Sequence, residues 1–191
     1  MNRADAFALL NEYVKDQGLV RHMLGVEAAM RAYARKRNED EEKWGIVGLL
    51  HDFDYERWPD PPEHPLRGAA ILQERGYPED VIYAIKSHAD YLPDCPRVNL
   101  IDKALYACDE LCGLITAAAL VRPGGITDMT AASVKKKMKS KGFARNVSRD
   151  DIERGAKDFG VDLTEHIQFV IDGMKPHAEA LGLLTGIAAE E

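Results

Sequence analysis

Cysteine is scarce, with three in 191 residues. So sparse and odd a set excludes a disulfide framework. Cys108 and Cys112, one helical turn apart, read as reduced residues on an apolar face. No apolar run approaches the about 20 residues that span a bilayer. The opening Met1-Asn2-Arg3-Ala4-Asp5 leads into a helical pattern and lacks the charged-then-apolar order of a leader. A cytoplasmic protein without membrane contact is expected. Strand-type alternation, internal repeats and low-complexity segments are all missing, as is any glycine-rich loop of the kind that cradles phosphate. Positive charge is in deficit, 25 Lys and Arg against 32 Asp and Glu, for a net charge of −7. That balance argues against a protein that grips nucleic-acid polymer or anionic membrane.

What is present describes an ordinary globular chain, 46% hydrophobic and 30% charged, long enough for one well-buried domain. The apolar spacing is helical throughout. It predicts a first helix through Phe7, Leu10 and Val14 ending near Gly18, and a second from about Val20 to Arg37 with His22 in its first turn. A third carries Trp44 to Leu50 and delivers His51 and Asp52. After the proline loop Trp58–Pro62, a helix begins near His64-Pro65 and ends at Gly76, and another runs from Pro78 to His88. Beyond Pro93 and Pro96 a long helix spans Asn99 to Val121. A basic helix follows over Thr130 to Lys139, then one opened by Ser148 with Asp151 in capping-box spacing and reaching Phe159. The last runs from Leu163 to about Leu183, with Pro176 expected to kink or split it. The expected fold is all-α: one domain over 1–191, with a core at about 20–115 and a helical extension from about 122 to 191.

Chemistry concentrates at Leu49-Leu50-His51-Asp52-Phe53-Asp54, where a buried-looking helix ends in a histidine beside an aspartate. The pair offers a neutral nitrogen and an anionic oxygen to one divalent ion. It also fits a helix C-terminus where a histidine meets the dipole's negative end. Four of the six histidines (His22, His51, His64, His88) fall in the first half, near helix ends, and Asp52 and Asp109 can join them. Asp102 lies seven residues before Asp109 on the same face of the long helix, so either aspartate can point at a shared centre.

The order His22, His51-Asp52, His64, His88, Asp109 resembles the HD-domain superfamily of metal-dependent phosphohydrolases. The segment His64-Pro65-Leu66-Arg67-Gly68-Ala69-Ala70-Ile71-Leu72 is similar to the second-histidine block of its HDIG subgroup, with Phe53-Asp54 standing where that subgroup has Ile-Gly. The resemblance covers about residues 20 to 115 and implies an HD-type helical bundle with a C-terminal extension. It implies that His22, His51, Asp52 and Asp109 hold a first metal and that His64 and His88 complete a second site, with Asp52 bridging. Ala107-Cys108-Asp109-Glu110-Leu111 is more like the family's closing aspartate motif than the surroundings of Asp102, which with Lys103 reads as a pair at the surface or behind the ligands.

The implied cofactor is one or two divalent transition metals, with Fe, Mn, Zn, Co and Ni all compatible with imidazole and carboxylate. The implied activity is hydrolysis of a small phosphate ester, a nucleotide foremost, by metal-activated water, with His51 and Asp52 at the catalytic centre. Arg67, Lys86 and Lys103 are candidate substrate contacts, and Arg21 also lies close to the motif in sequence. Asp54 and Glu56 read as loop acids, or as carboxylates holding a ligand imidazole from behind. The run Lys135 to Arg145 reads as a solvated basic face, and His166 and His177 as non-ligands. Two other readings stay open: oxygen-dependent oxidation by a di-iron version of the same scaffold, and a non-catalytic nucleotide- or metal-binding regulator.

Overall fold

The computed structural model describes residues 1–184. Among them are nine α-helices and no strand: α1 (Arg3–Tyr13), α2 (Gln17–Arg37), α3 (Glu41–Leu50), α4 (Glu63–Glu74), α5 (Glu79–Ser87), α6 (Leu100–Leu120), α7 (Ala131–Met138), α8 (Arg149–Phe159) and α9 (Leu163–Met174). Helix starts follow side-chain chemistry. Asn2, Asp16, Asp40, Thr130, Ser148 and Asp162 each accept a first-turn backbone N–H, satisfying donors the helix itself leaves orphaned. Asn38 closes α2 and Gly160 closes α8 in the left-handed conformation.

The centre of the bundle is α3. Every residue from Trp44 to Leu50 is buried, as expected of a helix that is apolar all round. It packs against α1, α2, α5 and α6, most extensively against α2. A Cβ at Gly48 would stand 3.0 Å from the Glu27 backbone, so only glycine allows α2 and α3 to approach this far. The long helices α2 and α6 pack on each other, α8 lies along α6, and α9 closes over α2. Full burial of Leu49 and Leu50, worth about 1.5–3 kcal/mol each, fixes where α3 must stop and where His51 must emerge.

Several predicted boundaries move. Gly18 lies inside α2, which starts at Gln17, so His22 sits in its second turn. The last predicted helix stops at Met174; Lys175–His177 is a single 3-10 turn, and Ala178 to Gly182 make turns. Pro176 ends that helix rather than bending it, having no N–H to continue the ladder. The part of the predicted extension from 185 to 191 lies outside the described residues. Ser148 caps Asp151 N–H as its spacing implies, but the return bond is replaced: Ser148 N–H donates to Glu110 Oε2 on α6 at 3.0 Å.

His166 stitches α9 to the centre. Its Nε2–H donates to Ala107 O at 2.8 Å, and its Nδ1 accepts from Tyr33 Oη–H at 2.6 Å. Burial pushes its pKa down to about 4. Folding therefore holds it neutral while the unfolded chain takes a proton below about 6.5. Stability from this group is complete above that value and is lost as pH falls towards 4, a loss of about 3 kcal/mol. Urea melts at pH 7 and pH 4.5 should show this loss. His166→Asn is expected to be less stable at pH 7 but to have a shallower acid slope.

Candidate metal centre

Five elements bring one side chain each, or an adjacent pair, to a common point. His22 comes from α2, His51 caps the C-terminus of α3 with Asp52 after it, His64 stands at the start of α4, His88 caps α5, and Asp109 projects from the middle of α6. His64 has extended dihedrals (φ −77°, ψ 134°), which lets its ring turn back from the helix it precedes. The helices bring the ligand-type atoms together without displacing the apolar core.

The atoms fall into two groups that share Asp52. In the first, Asp109 Oδ1 lies 3.0 Å from His22 Nε2 and 3.3 Å from His51 Nε2, and Asp52 Oδ2 lies 3.5 Å from His51 Nε2. In the second, Asp52 Oδ1 lies 3.3 Å from His64 Nε2 and 3.4 Å from His88 Nε2, while the two imidazole nitrogens are 3.2 Å apart. His22, His51 and Asp52 could hold one metal ion, and Asp52, His64 and His88 another; Asp109 Oδ1 stands beside the two imidazoles of the first set. Atoms each about 2.0–2.2 Å from one ion stand about 3.0–3.5 Å from their neighbours, which is the spacing seen here.

The imidazoles are aimed from behind. His51 Nδ1–H donates to Gly48 O at 2.9 Å, His88 Nδ1–H donates to Ile85 O, and His64 Nδ1–H donates to Asp54 Oδ1 at 2.8 Å. Each bond leaves Nε2 facing the centre, the arrangement that orients metal-ligating histidines. His51 Nε2 is fully buried and has no well-formed hydrogen bond. A buried nitrogen without a partner is costly in a closed protein, and a cation is the partner its surroundings suit.

Asp54 is 1% exposed, so it is not a solvated loop acid. Its second oxygen accepts Gly68 N–H at 2.7 Å. A Cβ at Gly68 would come within 2.8 Å of the Asp54 carboxyl carbon, so Asp54 and Gly68 require one another. Asp54→Asn keeps the size but removes the charge behind His64. A drop of about 10- to 100-fold in metal affinity is expected, to be read by titration with a chromophoric competitor. Glu56 plays a different part, accepting Lys15 N–H and Asp16 N–H at the turn before α2.

The charges sustain each other. Burial opposes protonation of His51, but Asp52 and Asp109 push its pKa up to about 10. Burial likewise opposes it at His64, where hydrogen bonds to Asp52 and Asp54 push it up to about 9. Burial raises and the histidines lower the pKa of Asp52 and Asp109, and the histidines win in both. Next to Asp109, Glu110 is pushed up to about 7 by burial and by its neighbour's charge.

Asp102 is elsewhere. It is fully buried, and its Oδ2 accepts Val98 N–H and Asn99 N–H at 3.1 and 2.8 Å, forming a capping box at the start of α6. It is neither a surface residue nor part of the cluster. The candidate substrate contacts Arg67, Lys86 and Lys103 are not among the residues lining the cleft over the cluster, and Arg67 is paired with Glu63 on its own helix. Lys135 bonds Thr164, Lys137 covers Phe143, and none of the basic run lines the cleft.

That cleft has a volume of about 550 Å³. Besides the cluster it is walled by Tyr55, Pro59 and Pro61, by Ala89 to Tyr91, by Tyr106 and Glu110 of α6, and by Val147 and Asp151 near the start of α8. The three residues after His88, and not Pro93 or Pro96, stand at this edge. No Lys or Arg is among the lining residues. No helix among the described residues is long and apolar enough to cross a membrane.

Comparison with known proteins points to one family. The HD domain family matches residues 19–113, the stretch that holds all six clustered side chains. Ribonuclease Y of Desulfotalea psychrophila is 26% identical over 178 residues, covering 91% of this chain and 31% of that protein. The chain thus spans about a third of the relative it matches. The family is generally hydrolytic and binds divalent metals, and the cluster supplies the imidazoles and carboxylates for such ions. The match and the all-helical architecture together make this chain a member of the HD-domain superfamily.

Proposed function

We propose that this protein is a metal-dependent phosphohydrolase acting on a small phosphate ester, with nucleotides the leading substrate class. The observation that carries the reading is Asp52, whose two oxygens face different groups of imidazoles. His22, His51, Asp52 and Asp109 would hold one ion, and His64, His88 and the other oxygen of Asp52 a second. When bound, such ions supply a nucleophilic water near neutral pH and draw charge from the phosphoryl oxygens. The chain's own part is to fix each Nε2 through the bonds to Gly48, Asp54 and Ile85, to keep His51 dry, and to leave the opposite side of the cluster open.

The name of the relative, a ribonuclease, favours phosphodiesters as well as monoesters. The cleft favours a short substrate: Asp90, Glu110 and Asp151 line it without a lysine or arginine, and the chain carries a net charge of −7. A long polyanion would meet repulsion along such walls. Phosphate release from nucleoside mono-, di- and cyclic phosphates, with Mn, Fe, Co, Ni or Zn added to chelator-stripped protein, tests the reading. Turnover of a small nucleotide with at least one of these metals is expected. No turnover with any of them overturns it.

A further inference from the structure

Two large aromatic side chains stand well exposed among the described residues, Tyr55 and Tyr91, each 44% exposed. The other large apolar residues exposed to this degree, such as Leu66, Val98 and Val121, are aliphatic. Both tyrosines line the cleft, and both are tied to His64. The Tyr55 ring meets the His64 imidazole edge-on, with centroids 5.2 Å apart and planes at 89°. Tyr91 Oη–H donates to His64 O at 2.6 Å. A fold that leaves half of two aromatic rings in water at one histidine forgoes burial it achieves almost everywhere else.

We propose that Tyr55 and Tyr91 are specificity-determining residues: they form an aromatic rim against which the planar ring of the substrate's leaving group lies, on the His64–His88 side of the cleft. The inference rests on the cleft being the substrate site. A nucleobase is the chemistry the rim fits, because every base has a π-face and stacking on tyrosine is tolerant of which base it is. The opposite wall suits the rest of a nucleoside. The carboxylates of Asp90, Glu110 and Asp151 and the hydroxyl of Tyr106 are mainly acceptors, whereas ribose hydroxyls and exocyclic amines are donors. Arg97 and Arg154 are bonded to Asp90 and so are engaged with this wall. An ester of the same phosphate with a small aliphatic alcohol would leave the rim exposed.

The test uses probes without phosphate, so it does not depend on hydrolysis. Adenosine and ribose are titrated calorimetrically into manganese-loaded protein. Adenosine is expected to bind at least about tenfold more tightly, the scale of one stacked base. Tyr55→Ala should erase the difference, Tyr55→Phe should keep it, and Tyr91→Leu, apolar but without a ring, should reduce it. In turnover, the KM ratio of ribose 5-phosphate to AMP should fall about tenfold in Tyr55→Ala, with little change in kcat for either. Equal binding of adenosine and ribose, or a preference unmoved in Tyr55→Ala, overturns the rim. If adenosine binds through Tyr55 yet no phosphate ester is turned over, the rim stands and the hydrolytic reading falls.

Discussion

Asp52→Asn is expected to abolish phosphate release, by at least about a thousandfold, or about 4 kcal/mol of barrier. The size of the effect follows from position. His22 and Asp109 serve one group of atoms, and His64 and His88 the other; Asp52 serves both, with Oδ2 toward His51 and Oδ1 toward His64 and His88. The amide is nearly isosteric, so the helices that present the neighbours should hold, and far-ultraviolet circular dichroism should be unchanged. What would be lost is the negative charge available to both groups of imidazoles, and an amide nitrogen would replace one of the facing oxygens. Elemental analysis gives the sharper reading. His64→Ala should cost one ion per chain, whereas Asp52→Asn should cost both. An Asp52→Asn protein that retains two ions and its turnover would remove Asp52 from the role proposed for it.

How much of this could be read from the chain alone depends on the distance over which each feature is decided. Helices α2, α3, α5 and α6 are written in apolar residues three and four apart, and their ends in local chemistry, such as Asp40 before Glu41 or Ser148 before Arg149. The end of α9 was harder, because periodicity continues through Leu181 while the backbone does not. The gathering of His22, His51, His64, His88 and Asp109 is a long-range fact. No spacing states it, and it was foreseen only because the order of those residues resembles a known family. Asp102 shows the opposite case. Asn99 followed three residues later by an acid is a capping signature, and it explains why Asp102 turns back toward Asn99 while Asp109 faces the histidines. The cover of Asp54 had no local signal, since its partner Gly68 lies fourteen residues on. The cleft wall was least legible: Tyr55, Asp90 and Tyr91 sit in loops whose paths are set by contacts with His64, Tyr106 and Arg97.

The charge pattern of the cluster makes a second large prediction, about how the metal-free protein gives way to the loaded one. With pKa values pushed up to about 10 and about 9, His51 and His64 both carry protons at pH 7 when no ion is present. The His51 proton stands between Asp52 and Asp109, and those of His64 face Asp52 and Asp54, so they offset the carboxylates as a cation would. For the metal-free fold the sign is that of a raised base. The stabilisation is full below the unfolded value of about 6.5 and is lost as pH rises through 9 to 10. For metal uptake the sign reverses, because imidazole must be neutral to ligate. Filling the site at pH 7 should release about two protons per chain, one from each histidine. Calorimetry in buffers of different ionisation enthalpy would count them. Because each ion displaces one of these protons, the product of the two affinities should rise about a hundredfold per pH unit from 7 to 9, and about tenfold per unit from 9 to 10. Asp54→Asn, which removes one of the two carboxylates bonded to His64, should release fewer protons at pH 7 and flatten the first part of that slope. Binding that is independent of pH across this range would mean that the histidines are neutral before the metal arrives, and that the carboxylates do not govern them as their positions imply.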